Sequence, residues 1–317
     1  MTAAESKPKQ NRTIGLIGLG LVGTATAEVL LARGFEVVGF DIDEARRTHL
    51  TTLGGHVATS PKEVAEAVSR VVLSLPDSSI VAEVVEGPDG LIRATEPPHY
   101  IIDTTTGDPE DTIDLAKRLA RRGIHLLDAT ISGSSEQLRC REALFMVGGD
   151  RAAFEKCADI LGALSEKVVY LGSSGSGSKA KLASNLILGL NRLALAEGLV
   201  FAERLGLDLG SFLKLLKMSP AYSVAVDAKG EKMVRQDFAA QSRIRQHHKD
   251  VALILKYARR AGQELPLAQV HLEILEQALA AGEGDLDNAA VIQEIARRRR
   301  AQPPGHEDKP PQGEPKA

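Results

Sequence analysis

The chain has 317 residues, 43% of them hydrophobic and 26% charged, with a formal net charge of −3. That length exceeds what one small core needs and predicts two domains. The near-neutral balance removes the electrostatic case for a nucleic-acid binder, and no run of about 18 uncharged apolar residues marks a membrane span.

The opening segment, MTAAESKPKQNR, carries charge and is followed by no continuous apolar stretch of the signal-peptide kind, because glycines break the run from Ile14 to Leu21. Residues 1–12 are therefore expected to be a disordered tail. The two cysteines, Cys140 and Cys157, fit neither a metal spacing nor a disulfide framework, which predicts a reducing cytoplasm.

From residue 13 to 172, short apolar runs alternate with amphipathic segments. TIGLIG, FEVVGFD, RVVLSLP, YIIDTTT and IHLLDAT each read as a buried strand bounded by Gly, Pro or Asp. Between them, LVGTATAEVLLARG, SPKEVAEAVS and DPEDTIDLAKRLARRG read as helices. The last two open with Ser-Pro and Asp-Pro, an N-cap followed by a proline at the first helical position. Such alternation predicts an α/β domain with a doubly wound parallel sheet.

After Gly172 the texture changes. The run from Lys181 to Leu207 is apolar on nearly every helical face, and KDVALILKYARRAG and LAQVHLEILEQALAAG are also helical in period. A helix apolar all round must be buried on all sides. Residues 173–297 are thus expected to form an all-helical domain around one long central helix, which also packs against a second subunit in a homodimer or homotetramer. The run Arg297 to Arg300 reads as a helix C-terminus whose cations complement the dipole. Residues 298–317, rich in Pro, Gly and charge, read as a second disordered tail.

Chemistry-bearing residues cluster at three places. The first is GLIGLGLVG, where Gly18, Gly20 and Gly23 follow a predicted strand and open a helix. The first glycine makes a tight turn, the second lets backbone approach a pyrophosphate, and the third allows helix–strand packing; Leu21 and Val22 complete the turn. The next strand ends in Asp41, 18 residues after Gly23, where a carboxylate accepts from both ribose hydroxyls and repels a 2′-phosphate. This predicts a Rossmann-type site for NAD, with NADP as the alternative. Two further strand ends aim at the same crevice: SLPDSS with Leu75 and Pro76, and DTTTGDP with Thr105 and Thr106.

The second place is GSGSKAKLASN, Gly175 to Asn185. Lys181 and Asn185 are i and i+4 and share a helical face, whereas Lys179 points roughly 160° away. Spacing alone leaves Lys181 either as a pocket residue or as a first-turn lysine snorkelling to solvent. The third is SRIRQHHKD, where His247 and His248 are adjacent and their side chains diverge, so they share no metal. No metal site is expected.

At DATISGS and GSGSKAKLASN the sequence resembles the β-hydroxyacid dehydrogenase family, which includes 3-hydroxyisobutyrate dehydrogenase and tartronate semialdehyde reductase. The likeness runs in order through the glycine turn, LPDSS, DTTTGDP, the Ser-Gly segment with FMVGG, the Gly-x-Gly-x-x-x-Lys-x-x-x-Asn segment, HHKD and GEGDLDNAAVI. It implies hydride transfer between a nicotinamide cofactor and a small carboxylate substrate, a 3-hydroxy acid or its semialdehyde, without a metal. It implies Lys181 as the catalytic residue with Asn185 beside it. Ser132 and Gly133 would hold the substrate carboxylate, Thr106 would contact the cofactor, and Lys249 would stand near the nicotinamide end.

The chain departs from the family pattern at Ser134, Leu138 and Arg141, and with Arg245, Gln246 and His248 before the Lys-Asp pair. Arg245, if it lies in the pocket, suggests a substrate with a second anionic group. Reduction of an aldehyde leaves charge on its oxygen, which a lysine stabilises and protonates; in the oxidation direction the lysine must be neutral, which burial or a cation such as Lys249 would favour. Two other readings compete: an NAD-binding scaffold without catalysis, and an imine reductase. A scaffold has no need of Lys181, Asn185, Ser132 and Lys249 together, and imine reductases of this resemblance replace the lysine that this chain keeps.

Overall fold

The computed structural model describes residues 12–298. The expected tails lie outside them except at their inner ends, and those ends are engaged. Arg12 lies over the Phe35 ring, 5.2 Å from its centroid, and Arg298 Nε donates to Glu294 at 3.0 Å. The described chain divides into a compact unit ending at Asn185 and another beginning at Leu186. The division falls inside a helix, beyond the change of sequence texture after Gly172.

In chain order the first unit comprises β1 (Thr13–Ile17), α1 (Leu21–Ala32), β2 (Glu36–Phe40), α2 (Glu44–Thr52), β3 (His56–Val57), α3 (Pro61–Ala67), β4 (Arg70–Leu73), α4 (Ser78–Glu86), β5 (Tyr100–Asp103) and α5 (Pro109–Ala120). It continues with β6 (His125–Ser132), α6 (Ser135–Arg139), β7 (Leu144–Gly148), α7 (Arg151–Lys156), α8 (Ala158–Leu164) and β8 (Lys167–Gly172), and ends in the first turns of α9 (Ser176–Arg204). The eight strands form one sheet in the order β3-β2-β1-β4-β5-β6-β7-β8. The five expected strands are β1, β2, β4, β5 and β6, mutually parallel. Their order reverses between β1 and β4, the switch point where doubly wound sheets bind nucleotides.

Beyond the five expected parallel strands the sheet gains a change of direction. β7 runs antiparallel to β6, and β8 is parallel to β7. The reason lies in the connections: β6 and β7 are joined by short α6 and a reversal at Arg141 (φ 62°), too brief for a crossover, whereas α7 and α8 make the crossover to β8.

Local sequence sets the helix starts. Ser60 accepts from Glu63 N at 3.2 Å and Asp108 from Glu110 N at 3.0 Å, each before a proline that opens its helix. Apolar residues of β1 and β2 pack with α1 on one side of the sheet, and those of β4 with α3 and α4 on the other.

The second unit continues α9 and adds α10 (Leu209–Met218), α11 (Val224–Arg235), α12 (Ile244–Arg260), α13 (Pro266–Ala280) and α14 (Val291–Arg297). Its core gathers Leu193, Ala196 and Leu199 of α9 with residues of α10 to α14. α9 is long and apolar enough to cross a membrane by length and composition, and its place in this core accounts for both properties. Within the single chain part of its apolar surface stays open: Ile187 is 62% and Phe201 64% exposed. The acidic motif at the end of the unit is structural. Asp287, fully buried, accepts from Lys229 Nζ at 2.7 Å and from the backbone N–H groups of Gln241, Ser242 and Ala289. It thereby ties the start of α14 to α11 and to the loop before α12.

Candidate active site

The nucleotide turn follows β1 and faces the end of β4. Gly18 adopts φ +90°, and a Cβ there would stand 2.1 Å from the Ser74 carbonyl oxygen; at Gly23 it would stand 1.8 Å from the Gly18 oxygen. These two glycines are required by the protein's own backbone. Gly20, which precedes the first turn of α1, is different: the nearest heavy atom to its Cβ position is Arg46 Nη1 at 3.8 Å. Protein packing does not demand a glycine there. The space it leaves, in front of N–H groups at a helix N-terminus, fits a pyrophosphate. Leu21, 79% exposed, and half-buried Val22 are the next two residues.

Asp41 closes the turn. Its carboxylate accepts from Leu19 N at 2.7 Å and Asp43 N at 2.9 Å, and pairs with Arg46 at 3.3 Å. A carboxylate has about four lone-pair positions, so capacity remains for ribose hydroxyls. Sequence reasoning passed over Arg46 and Ile42. Ile42 is 90% exposed directly after Asp41, where an apolar surface suits a base. Their signal was position alone, the residues just past the acid that ends β2.

Beyond β4, Leu75 N donates to Thr105 Oγ1 at 3.2 Å and Thr104 Oγ1 to the Leu73 carbonyl at 2.7 Å, so hydroxyls knit the ends of β4 and β5 together. In these two loops Pro76 is exposed and Thr106 half-buried.

The end of β5 and the middle of β6 carry paired acids. Asp103 and Asp128 are register partners on adjacent strands. Burial pushes Asp103 up to about 6, against the hydrogen bonds it accepts from Thr105, and the nearby Asp128 charge adds to the rise. Burial also raises Asp128, against the N–H groups of Ser178 and Gly175 that it accepts at 2.8 Å each. β6 ends at Ser132, followed by Gly133 at φ +150°.

The departures near this segment have local causes. Ser134 is the N-cap of α6 in a reciprocal capping box with Gln137. Leu138 is buried in the core. The Arg141 guanidinium donates to the Gly162 and Ala163 carbonyls and to Glu166.

On α9, Lys179 is exposed, Lys181 half-buried and Asn185 buried, as their i, i+4 spacing predicts for a shared face. In the second unit Lys249 is exposed on α12. Arg245 pairs with Asp285 at 2.8 Å, which supplies it with an anionic partner from the protein itself. His247 and His248 do diverge: His248 lies 3.8 Å from Glu276, while His247 is buried against His271, ring centroids 4.9 Å apart.

A glycine turn at the switch point with its acid at the end of β2 defines a dinucleotide-binding protein. Residues 13–172 match the model of the NAD binding domain of 6-phosphogluconate dehydrogenase, and residues 175–295 that described as NAD-binding of NADP-dependent 3-hydroxyisobutyrate dehydrogenase. The chain is 33% identical over 280 residues to 2-(hydroxymethyl)glutarate dehydrogenase of Eubacterium barkeri, covering 88% of this chain and 93% of that protein. To 2-hydroxy-3-oxopropionate reductase of Escherichia coli it is 30% identical over 286 residues, with 89% and 96% covered. The structure of 3-hydroxyisobutyrate dehydrogenase from Salmonella typhimurium superposes with a TM-score of 0.81 at 26% identity, covering 89% of this chain and 99% of that one. The chain belongs to the β-hydroxyacid dehydrogenase family, whose enzymes use NAD(P).

Proposed function

We propose that the protein transfers a hydride between NAD(H) and a small 3-hydroxy acid or its semialdehyde, of the 3-hydroxyisobutyrate or 2-hydroxy-3-oxopropionate type, with Lys181 as general acid and base. The observation that carries this reading is the junction of β6 and α9. Lys181 is half-buried one turn before buried Asn185, on a helix whose first turn is bonded to the strand that ends at Ser132. The nicotinamide supplies or accepts the hydride when bound. Gly18, Gly20, Leu21, Val22, Gly23, Asp41, Leu75, Pro76 and Thr106 would hold the cofactor. Ser132 and Gly133 would take the substrate carboxylate on hydroxyl and backbone N–H groups.

Lys181 would hold a proton at the substrate oxygen. As charge develops there, an ammonium stabilises and then neutralises it. In oxidation the same amine accepts the hydroxyl proton, and Asn185 orients either the amine or the substrate. Lys249 would add positive charge near the nicotinamide end. We further propose a homodimer or homotetramer, supported by the exposed Ile187 and Phe201 of α9, since large apolar side chains left on a core helix mark an association surface.

The direct test is cofactor-linked oxidation of 3-hydroxyisobutyrate, 3-hydroxypropionate, glycerate and 2-(hydroxymethyl)glutarate, each with NAD and with NADP. One of these acids should be turned over at least about tenfold faster than the others, a difference of roughly 1.4 kcal/mol in transition-state binding. Absence of turnover with every acid, alongside demonstrable NAD binding, would favour the scaffold reading.

NAD preference rests on Asp41, while Arg46 beside it is the specific observation that favours NADP, because a guanidinium suits a 2′-phosphate. Asp41→Ser removes the repelling carboxylate and frees Arg46. The NADP-to-NAD ratio of kcat/KM should rise by at least about tenfold. An unaltered ratio would show that Asp41 does not touch the ribose.

A further inference from the structure

The first turn of α9 is fixed to the sheet by β6. Asp128 accepts from Gly175 N and Ser178 N, one carboxylate oxygen to each, at 2.8 Å. Two residues along the same strand, buried Thr130 donates its hydroxyl to the Gly177 carbonyl at 3.0 Å. The approach is so close that a Cβ on Gly177 would stand 2.4 Å from the Met146 oxygen and 2.5 Å from the Asp128 oxygen. One on Gly148 would stand 2.6 Å from Asp128 Oδ1.

Donors at a helix N-terminus are ordinarily capped by the residue just before the helix. Here the cap comes from a strand 47 and 50 residues earlier. It is nearly fully buried, and burial opposes its charge. A serine cap would satisfy the same N–H groups at less cost, and serines 173, 174 and 176 are at hand. A distant buried carboxylate adds two things that a local cap cannot: a fixed register of α9 against the strand that ends at Ser132, and a negative charge under the helix start. Lys181 begins three residues past Ser178, a rise of about 4.5 Å.

The geometry points to Asp128 as the positioning residue for Lys181, fixing the lysine's place against Ser132 and biasing its ammonium form through the buried charge. This rests on the reading of Lys181 as general acid and base. Thr130 is its partner in the clamp. A negative charge under the helix start would favour a protonated amine, and in this proposal the clamp thereby helps Lys181 keep the proton it delivers in reduction.

The test uses the full-length protein as Asp128→Ala, Asp128→Asn, Thr130→Val and Lys181→Ala, together with the double variants in the Lys181→Ala background. Turnover is read in the reduction direction, with NADH and the semialdehyde of the fastest acid of the panel above, where the ammonium form is the one required. In parallel, acetic anhydride labelling across pH 7 to 10, quantified on peptides, reports Lys181 with exposed Lys179 as internal reference. Asp128→Ala should lower kcat by about 10- to 100-fold with the NAD dissociation constant changed less than about twofold. Asp128→Asn, which keeps one acceptor oxygen, should recover part of that loss. In the Lys181→Ala background neither Asp128→Ala nor Thr130→Val should cost a further factor, because groups acting as a unit are not additive.

The Lys181-to-Lys179 labelling ratio at pH 8 should rise about threefold or more in Asp128→Ala, as loss of the carboxylate lets the amine deprotonate. A purely structural Asp128 would multiply its loss into Lys181→Ala and leave the labelling ratio unchanged, and either result overturns the proposal. If Asp128→Ala fails to fold, isosteric Thr130→Val breaks the same clamp without removing charge and must show the same non-additivity. The two readings fail separately: full turnover in Lys181→Ala sinks the general-acid assignment, while the labelling ratio still decides whether Asp128 governs the lysine.

Discussion

Lys181→Ala should lower turnover by about three orders of magnitude or more while NAD binds as before. Two general effects combine to give that size. General acid–base catalysis by a positioned side chain contributes typically about 10²- to 10⁴-fold. Loss of an electrostatic partner to a developing oxyanion costs about 10²- to 10³-fold. Both act in the transition state, so kcat and kcat/KM should fall together and KM for the cofactor should stay put. Half-burial of Lys181 makes the effect local, since the alanine leaves the core of the first unit intact. Lys179→Ala is the control. That lysine is exposed on the other side of the same helix turn, and its removal should change kcat by less than about twofold. Titration of cofactor by fluorescence separates a binding defect from a chemical one. Equal turnover in the two alanine variants would remove the assignment.

Much of this could be read from the sequence because the relevant patterns are short. The glycine turn, the acid ending the next strand and the i, i+4 pair on α9 each lie within a few turns of chain. Ser-Pro and Asp-Pro marked their helices for the same reason. The antiparallel β7 was not read as a strand: FMVGG has no alternation, being buried on both faces, and its direction follows from the length of the connection through α6. β3, only two residues long, carries no pattern at all.

Asp128 appeared in the sequence as the first letter of a motif. Its partners lie 47 and 50 residues away, which no local period reveals. Ser134, Arg141 and Arg245 looked like signs of altered specificity, and the structure gives each a partner within the protein: Gln137, the end of α8, and Asp285. The faces of α9 could not be told apart by composition, because the apolar side chains that enter the core of the second unit and those that stay exposed in the single chain, such as Ile187 and Phe201, read alike.

Acidification should destabilise the second unit specifically, and the cause is a cluster that the proposed chemistry does not use. His247 of α12 and His271 of α13 both press on Gly189 of α9, where a Cβ would stand 2.9 to 3.0 Å from their ring atoms. Arg192 of the same helix is also buried, and among the described residues neither its Nη1 nor His247 Nε2 has a hydrogen-bond partner. Burial and the Arg192 charge lower His271 to about 4, and burial, Arg192, His271 and His248 together hold His247 well below the ordinary histidine range. Burial also lowers Arg192 itself to about 10, opposed by Asp287 and Asp250.

For a histidine with a depressed folded pKa, the unfolded chain takes up protons first. Stability is therefore fully present above about pH 6.5 and is lost as pH falls toward the folded value. For His271 the window runs from 6.5 to about 4, a loss on the order of 3 kcal/mol. Asp103 in the first unit works the other way: its folded pKa of about 6 lies above the unfolded one, so acidification over nearly the same window relieves the cost of burying its charge. Amide hydrogen exchange, corrected for intrinsic rates, should thus show α12 and α13 opening more readily at pH 5 than at pH 7, while β5 does not. His271→Gln removes one titrating ring and should flatten the pH response of α13 by about half. Uniform acid response of both units, or an unchanged slope in His271→Gln, would show that this histidine cluster does not control acid stability.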